Sequence, residues 1–306
     1  MALGDTVELL DDARERGSIP PGDLRFTDAQ MLKAATKELR EGCAPLLHQA
    51  KSEHLVTPYS VAVDPGVAEY RIPPRAIGGG GLRDAVWEYS GHKVSLREIP
   101  VEEVPHWGNS QGTPTGYYPR GYSVVLVPTP NVVGTLHLPY YARPNALVLP
   151  SVCIYVNGPA QQDGANLLIG TSVPIPFTVG QTVDVMRSTP AFESLVMDAP
   201  VVAVDPLGLL TVEATSSQVQ EGDWVSLAGT SPVVQLPVEM LGLLAVRTAR
   251  RALKAAGDSR WRDLDEDVSE LEGRARTWLS PRNDGEPIAI SPYSSSLFRG
   301  VLGRFG

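Results

Sequence analysis

The residues that could do chemistry are few, and their spacing serves no reaction. Gly78-Gly79-Gly80-Gly81 is the most conspicuous glycine run, yet no lysine followed by Ser or Thr comes after it, as a phosphate-cradling loop requires. Leu82-Arg83-Asp84-Ala85-Val86 reads as the next strand, so the run reads as a turn. The five histidines, His48, His54, His92, His106 and His137, show no H-E-x-x-H or other metal-ligand spacing. Asp263-Leu264-Asp265-Glu266-Asp267 has the acids of a calcium loop without its glycine and terminal glutamate, and reads as a solvated helix face. Glu102 and Glu103 could act as acid or base only as any carboxylate could, and no G-x-S-x-G nucleophile elbow is present. Cys43 and Cys153 are too few and too far apart for a disulfide framework or a zinc site, which leaves two reduced thiols as small apolar fillers. Trp107, Tyr117, Tyr118, Tyr122, Tyr140 and Tyr141 gather in one region, either as a stacking platform for sugars or bases or as a sheet core with a subunit interface. The lack of a basic neighbourhood argues against stacking on single-stranded nucleic acid. The expectation is a protein that is not an enzyme, with no catalytic residue, no cofactor and no metal.

The elements that would carry these residues are set by composition and pattern. A chain of 306 residues with 42% hydrophobic and 20% charged residues can bury a sizeable core. Gly 29 and Pro 27 demand many turns and therefore many short strands. A formal net charge of -9 argues against a surface that grips nucleic acid by its phosphates, but permits an acidic wall that DNA slides past. Residues 1–12 lack the basic and apolar regions of a signal peptide, and no stretch approaches the roughly 20 apolar residues that span a bilayer. The sequence therefore predicts a soluble protein, made and assembled in a cytoplasm.

Asp5 is a good N-cap for a first short helix that Gly17 and Pro20-Pro21 stop. Thr27 followed by Gln30 makes a capping-box pattern, after which Met31, Leu32, Ala35, Leu39, Cys43, Leu46 and Leu47 recur at helical spacing. Gly42 and Pro45 predict a kink or break in that run. From 54 to 236 the chain turns to short runs of Val, Ile, Leu and Tyr between Gly, Pro, Asn and Asp. Strands are expected at 55–63, 68–72, 82–89, 94–99, 122–127, 132–138, 146–156, 182–186, 201–204, 210–213 and 223–227, with hairpin turns at Asp64-Pro65-Gly66 and Asp205-Pro206-Leu207-Gly208. Pro237 opens a further helix with Met240, Leu241, Leu244, Val246 and Leu253 on one face, ended by Gly257-Asp258. A second follows from Ser259 through Trp261, Leu264, Val268, Leu271 and Ala275. The stretch 280–306 has too few apolar residues for a core of its own and reads as an arm.

The expected fold class is α+β. Helices at 1–53 and a helical hairpin at 237–279 form one bundle, 54–236 is a large antiparallel β insertion (sandwich or barrel), and 280–306 is an extended C-terminal arm.

This order of parts resembles the head-to-tail adaptor (connector) proteins of tailed bacteriophages, in a version with a β-rich insertion. The resembling segments are Thr27-Asp28-Ala29-Gln30-Met31-Leu32, Tyr70-Arg71-Ile72-Pro73-Pro74-Arg75-Ala76-Ile77-Gly78-Gly79 leading to Leu82-Arg83-Asp84, Leu138-Pro139-Tyr140-Tyr141-Ala142-Arg143-Pro144-Asn145-Ala146-Leu147, and Ala255-Ala256-Gly257-Asp258. The resemblance implies a structural virion protein of the head-tail neck. It implies a homo-oligomeric ring, typically a dodecamer, between the portal protein and a tail or stopper protein. DNA passes through the lumen during ejection without sequence-specific binding, and no membrane is involved. The arm would reach onto the portal, with Ile288, Ile290, Tyr293, Leu297, Phe298, Val301, Leu302 and Phe305 as apolar anchors and Arg299 and Arg304 as charged contacts. Two other readings share these features: another neck ring, of the stopper or tail-completion type, and a virion carbohydrate-binding module using the aromatic region.

Overall fold

A capped start and an apolar stripe account for each helix. In this computed structural model, which describes residues 4–49, 54–77, 81–104, 110–188, 194–214 and 218–279, α1 runs Thr6–Arg16 behind the Asp5 cap. Helix α2 (Asp28–Glu38) begins in the full Thr27/Gln30 capping box. The expected break takes the form of a π-helical turn, Leu39–Cys43, leading into α3 (Ala44–Gln49). Gly42 explains it: a Cβ there would lie 1.9 Å from Arg247 Nη1, so the wide turn and the missing side chain let a distant arginine cross the helix. Helix α4 (Val238–Ala255) follows Pro237, and α5 (Leu264–Leu279) follows a short 3₁₀ turn, Ser259–Arg262, that interrupts the single helix expected from Ser259.

Helix α4 packs against α1, α2 and α5. Leu10, Met31, Leu39, Leu47, Met240, Leu244 and Leu253 belong to one apolar core. Residues 4–6 are stitched to the close of the β-rich stretch beside it. Thr6 N–H donates to Pro232 O at 3.0 Å, Val234 N–H donates to Gly4 O at 2.9 Å, and Thr6 Oγ1 donates to Val148 O at 2.7 Å.

The β-rich stretch holds two further cores. Around the first, Ser60–Val63, Gly134–His137, Val86–Tyr89 and His92–Ser95 form one antiparallel sheet, in that order. Glu69–Arg71, Ser123–Val127, Gly116–Arg120 and Arg97–Glu98 form another, whose last pairing is parallel. Inward residues of both, including Trp87, Leu126, Leu136 and Tyr117, meet in one cluster. Gly134 sits where Trp87 crosses, since a Cβ there would meet the indole at 2.5 Å.

Around the second core lies a seven-stranded antiparallel sheet in the order Ile154–Tyr155, Trp224–Leu227, Thr182–Met186, Ser194–Asp205, Leu209–Glu213, Asn166–Gly170 and Gln161–Asp163. Among the described residues no sheet closes into a barrel. The turn at Asp205 to Gly208 joins hairpin strands as expected. Asp64 to Gly66 does not, because Ser60–Val63 and Glu69–Arg71 belong to different sheets and the turn carries the chain between them. The expected 146–156 strand is divided by a 3₁₀ turn at Pro150–Val152, proline supplying no ladder donor.

Candidate functional site

The densest polar cluster lies where the chain's parts meet. Asp184, in the middle of Thr182–Met186, is fully buried and accepts five hydrogen bonds. Arg75 binds it through both ends of its fork, Nη1 at 2.7 Å and Nη2 at 2.9 Å. Asn145 Nδ2, Gly229 N–H and Asp198 N–H supply the others at 3.0, 3.0 and 2.9 Å. Arg75 Nη2 also reaches Asp198 Oδ1 at 2.6 Å, while Asn145 N–H donates to Gln235 Oε1 at 2.6 Å. Asp198 holds its backbone at a positive φ of 54°, a strained conformation that this network maintains.

The electrostatics fit a lock. Burial disfavours the Arg75 charge, but its bonds to Asp184, with the pull of Asp184 and then Asp198, hold its pKa above the ordinary value. Burial also pushes the Asp198 carboxyl up, opposed by Arg75 and reinforced by Asp184. A carboxylate engaged by so many donors holds the surrounding segments together.

A second ionic cluster staples the helices. Arg247 reaches Glu38 at 3.2 Å and also pairs with Glu272, and Arg251 reaches Glu38 at 2.5 Å and Glu41 at 2.8 Å. Residues of α2, the π turn, α4 and α5 are thereby tied together.

Two concave surfaces are notable. One, of about 620 Å³, is lined by Arg40, His48, Ile77, Tyr141 and Arg143 among others. Arg40 Nε donates to Pro144 O at 2.9 Å, and Tyr141 meets His48 edge-on at 5.1 Å. Both His48 ring nitrogens are buried without a hydrogen-bond partner, and burial holds its pKa below the usual imidazole value. The other, of about 730 Å³, runs between α2 and α4 over Met31, Ala34, Ala252, Ala255 and Ala256, with five cations and no carboxylate in its lining.

The sequence-predicted residues disperse. Cys43 and Cys153 are free thiols, both pushed up to about 12 by burial. His137 is a sheet residue held by Glu88 at 2.7 Å and Ser60 at 2.8 Å. Tyr117 and Tyr140 are buried in the first β core, whereas Tyr122 is 66% exposed, so these three share no platform. Asp265, Glu266 and Asp267 lie in the first turn of α5, with Asp263 just before it, and Asp265 is bound to Arg250 at 2.6 Å. Among the described residues, no three His, Cys, Asp or Glu side chains are grouped to hold a metal ion, and no helix is long and apolar enough to cross a membrane. Trp107, His106, Gly78 to Gly80 and the ten arm residues from Ile288 to Phe305 lie outside the described residues.

The Arg75 lock was missed in the sequence. Its signal was Asp184 in Thr182-Val183-Asp184-Val185-Met186, a charge within a run of apolar strand residues, which demands a partner.

The family model of the SU10 adaptor protein matches residues 5–163, just over half of the chain. The chain belongs to the SU10 adaptor protein family. This agrees with the resemblance to phage head-to-tail adaptors, and makes the protein a structural adaptor among virion components. The family match spans α1 to α3, the first β core and two members of the lock, Arg75 and Asn145; in this adaptor their partners Asp184 and Asp198 lie beyond it. A comparison with curated proteins gave no match.

Proposed function

We propose that this adaptor forms a homo-oligomeric ring, twelvefold in the usual case, between the portal and the tail or stopper protein. The body is a helical bundle of α1, α2, α4 and α5, and the lumen passes DNA without sequence-specific contact. The 280–306 arm binds the portal through the apolar anchors Ile288 to Phe305 and through Arg299 and Arg304. The protein works without catalysis or a cofactor, in the neck of the virion, and is assembled in the host cytoplasm. The observation that carries this reading is the family match across residues 5–163. The net charge of -9 supports it, since an acidic lining repels phosphates and lets DNA slide.

The test is electron microscopy of the chain mixed with its cognate portal, full length and truncated after Leu279. A ring on the portal that disappears on truncation is expected. Retention of the truncated chain on the portal would rule out the arm's role, and a monomer indifferent to the portal would rule out the ring.

A further inference from the structure

The groove between α2 and α4 runs against the character of the chain. The sequence has 35 acidic residues to 26 basic ones, yet five cations and no acid line this groove: Arg25, Lys33, Lys37, Arg251 and Lys254. Two of the five are satisfied locally, Arg25 by Asp23 at 2.8 Å and Arg251 by Glu38 and Glu41. Lys33 and Lys37 are exposed and form no ion pair among the described residues. They stand one helical turn apart, an arrangement of like charges that weakens a helix unless something external answers it. Lys254 lies 5.1 Å over the Trp261 ring and has no carboxylate partner there either.

The complement is on the same chain. Asp263, just before α5, and Glu266, Asp267 and Glu270 in its first turns fall at spacings of three and four, all exposed. Glu270 is paired with Arg274, but Asp263, Glu266 and Asp267 have no ion pair among the described residues. The comparable acidic stripe on α1 is already engaged, Asp11 with Arg14 and Asp12 with Arg16. Three groove cations without a carboxylate partner, Lys254 among them with only the Trp261 ring beside it, thus match three carboxylates without a cation partner at the entry to α5. No ion pair joins the two sets within the chain.

We infer that the α2/α4 groove receives the acidic start of α5 from a second copy. The contact is heterologous, since groove and stripe are different surfaces, and repetition of such a contact generates a ring when the rotation closes. This rests on the ring reading above and names the surfaces that build it. The C-terminal arm is a poorer occupant: Arg282, Arg299 and Arg304 outnumber Asp284 and Glu286, so it brings no net negative charge. Nucleic acid is also a poorer fit, because the unpaired cations form a single short pocket and not a track along a backbone.

The experiment uses the full chain on its cognate portal, with ring occupancy read by electron microscopy and self-association by sedimentation. Three chains are compared with the parent: K33E/K37E, E266K/D267K, and one carrying all four changes. Each double reversal places like charges across the contact and is expected to weaken self-association by about tenfold or more, and the fourfold chain is expected to recover most of it. Far-UV circular dichroism and the melting midpoint establish that each variant folds. Rings unchanged in both double variants would overturn the groove contact while leaving the ring intact. Loss in both without recovery in the fourfold chain would overturn the pairing. A parent chain that forms no ring would overturn both readings. If K33E/K37E instead loses only retention of double-stranded DNA, the groove is a nucleic-acid surface and the inference fails.

Discussion

Arg75 and Asp184 illustrate how much one residue pair can carry. Removing Arg75 leaves Asp184 fully buried with three amide donors and no counter-charge, so Arg75→Ala is expected to cost about 3–5 kcal/mol in urea denaturation. Asp184→Asn, which keeps the shape and loses the charge, also frees Arg75 from its fork partner and is expected to destabilise. His48 sets a pH dependence. Its folded pKa lies below 6.5 because of burial, so the unfolded chain takes up the proton first as pH falls, and stability is lost on the acid side of 6.5 but not above it. His54 shifts in the same direction, mainly through burial, with Glu239 opposing. His48→Leu is therefore expected to flatten the dependence of the urea midpoint between about pH 5 and 7.5, and an unchanged slope would exclude His48 as its source. At this scale the sequence was only half legible. Arg75 and Asn145 stood inside segments that marked the family, but their meeting with Asp184 and Asp198 depends on long-range folding that no local pattern encodes.

Among the elements, legibility followed the strength of local signals. The Asp5 cap, the Thr27/Gln30 box and the Pro237 start all lie at helix beginnings because side-chain oxygens or a fixed φ act within a few residues. The 182–186 strand was read with its observed bounds. Gly116–Arg120 falls outside the strands expected from the sequence, and it forms its ladder although Pro119 offers no donor. Asn166–Gly170 also falls outside the expected strands; it begins with asparagine and ends in glycine, both poor strand formers. The parallel pairing of Arg97–Glu98 with Gly116-Tyr117 joins separate segments, which turn chemistry alone does not reveal. The sheet around Trp87 yields a direct test of packing. Gly134→Ala would drive a methyl into the indole at 2.5 Å and against Glu88 O at 2.6 Å. It is expected to cost about 1–3 kcal/mol, measured as a lowered melting midpoint with quenched or shifted tryptophan fluorescence.

For the whole molecule, the division into helical ends and a β-rich middle was visible as a change in hydrophobic period, but the two separate cores within that middle were not. Apart from the long strand Ser194–Asp205 both are built from short strands, and nothing between 142 and 154 announces the change beyond Pro144 and Pro150. The helical core has no such independence. A chain stopped at residue 236 lacks Met240, Leu244 and Leu253, so α1 and α2 lose the central helix that packs on Leu10 and Met31. Limited proteolysis of that fragment is expected to cut within 1–49, whereas the full chain is protected there. The same stitching sets an order of events during synthesis. Residues 4–6 wait for 232–234, and α2 waits for α4, so each β core can form as it leaves the ribosome while the first helices remain exposed until more than 200 further residues have been made. Closure of the helical core is thus a late, post-emergence step. Because that core carries the charged groove and stripe, the contact proposed between copies has no assembled surface on an unfinished chain.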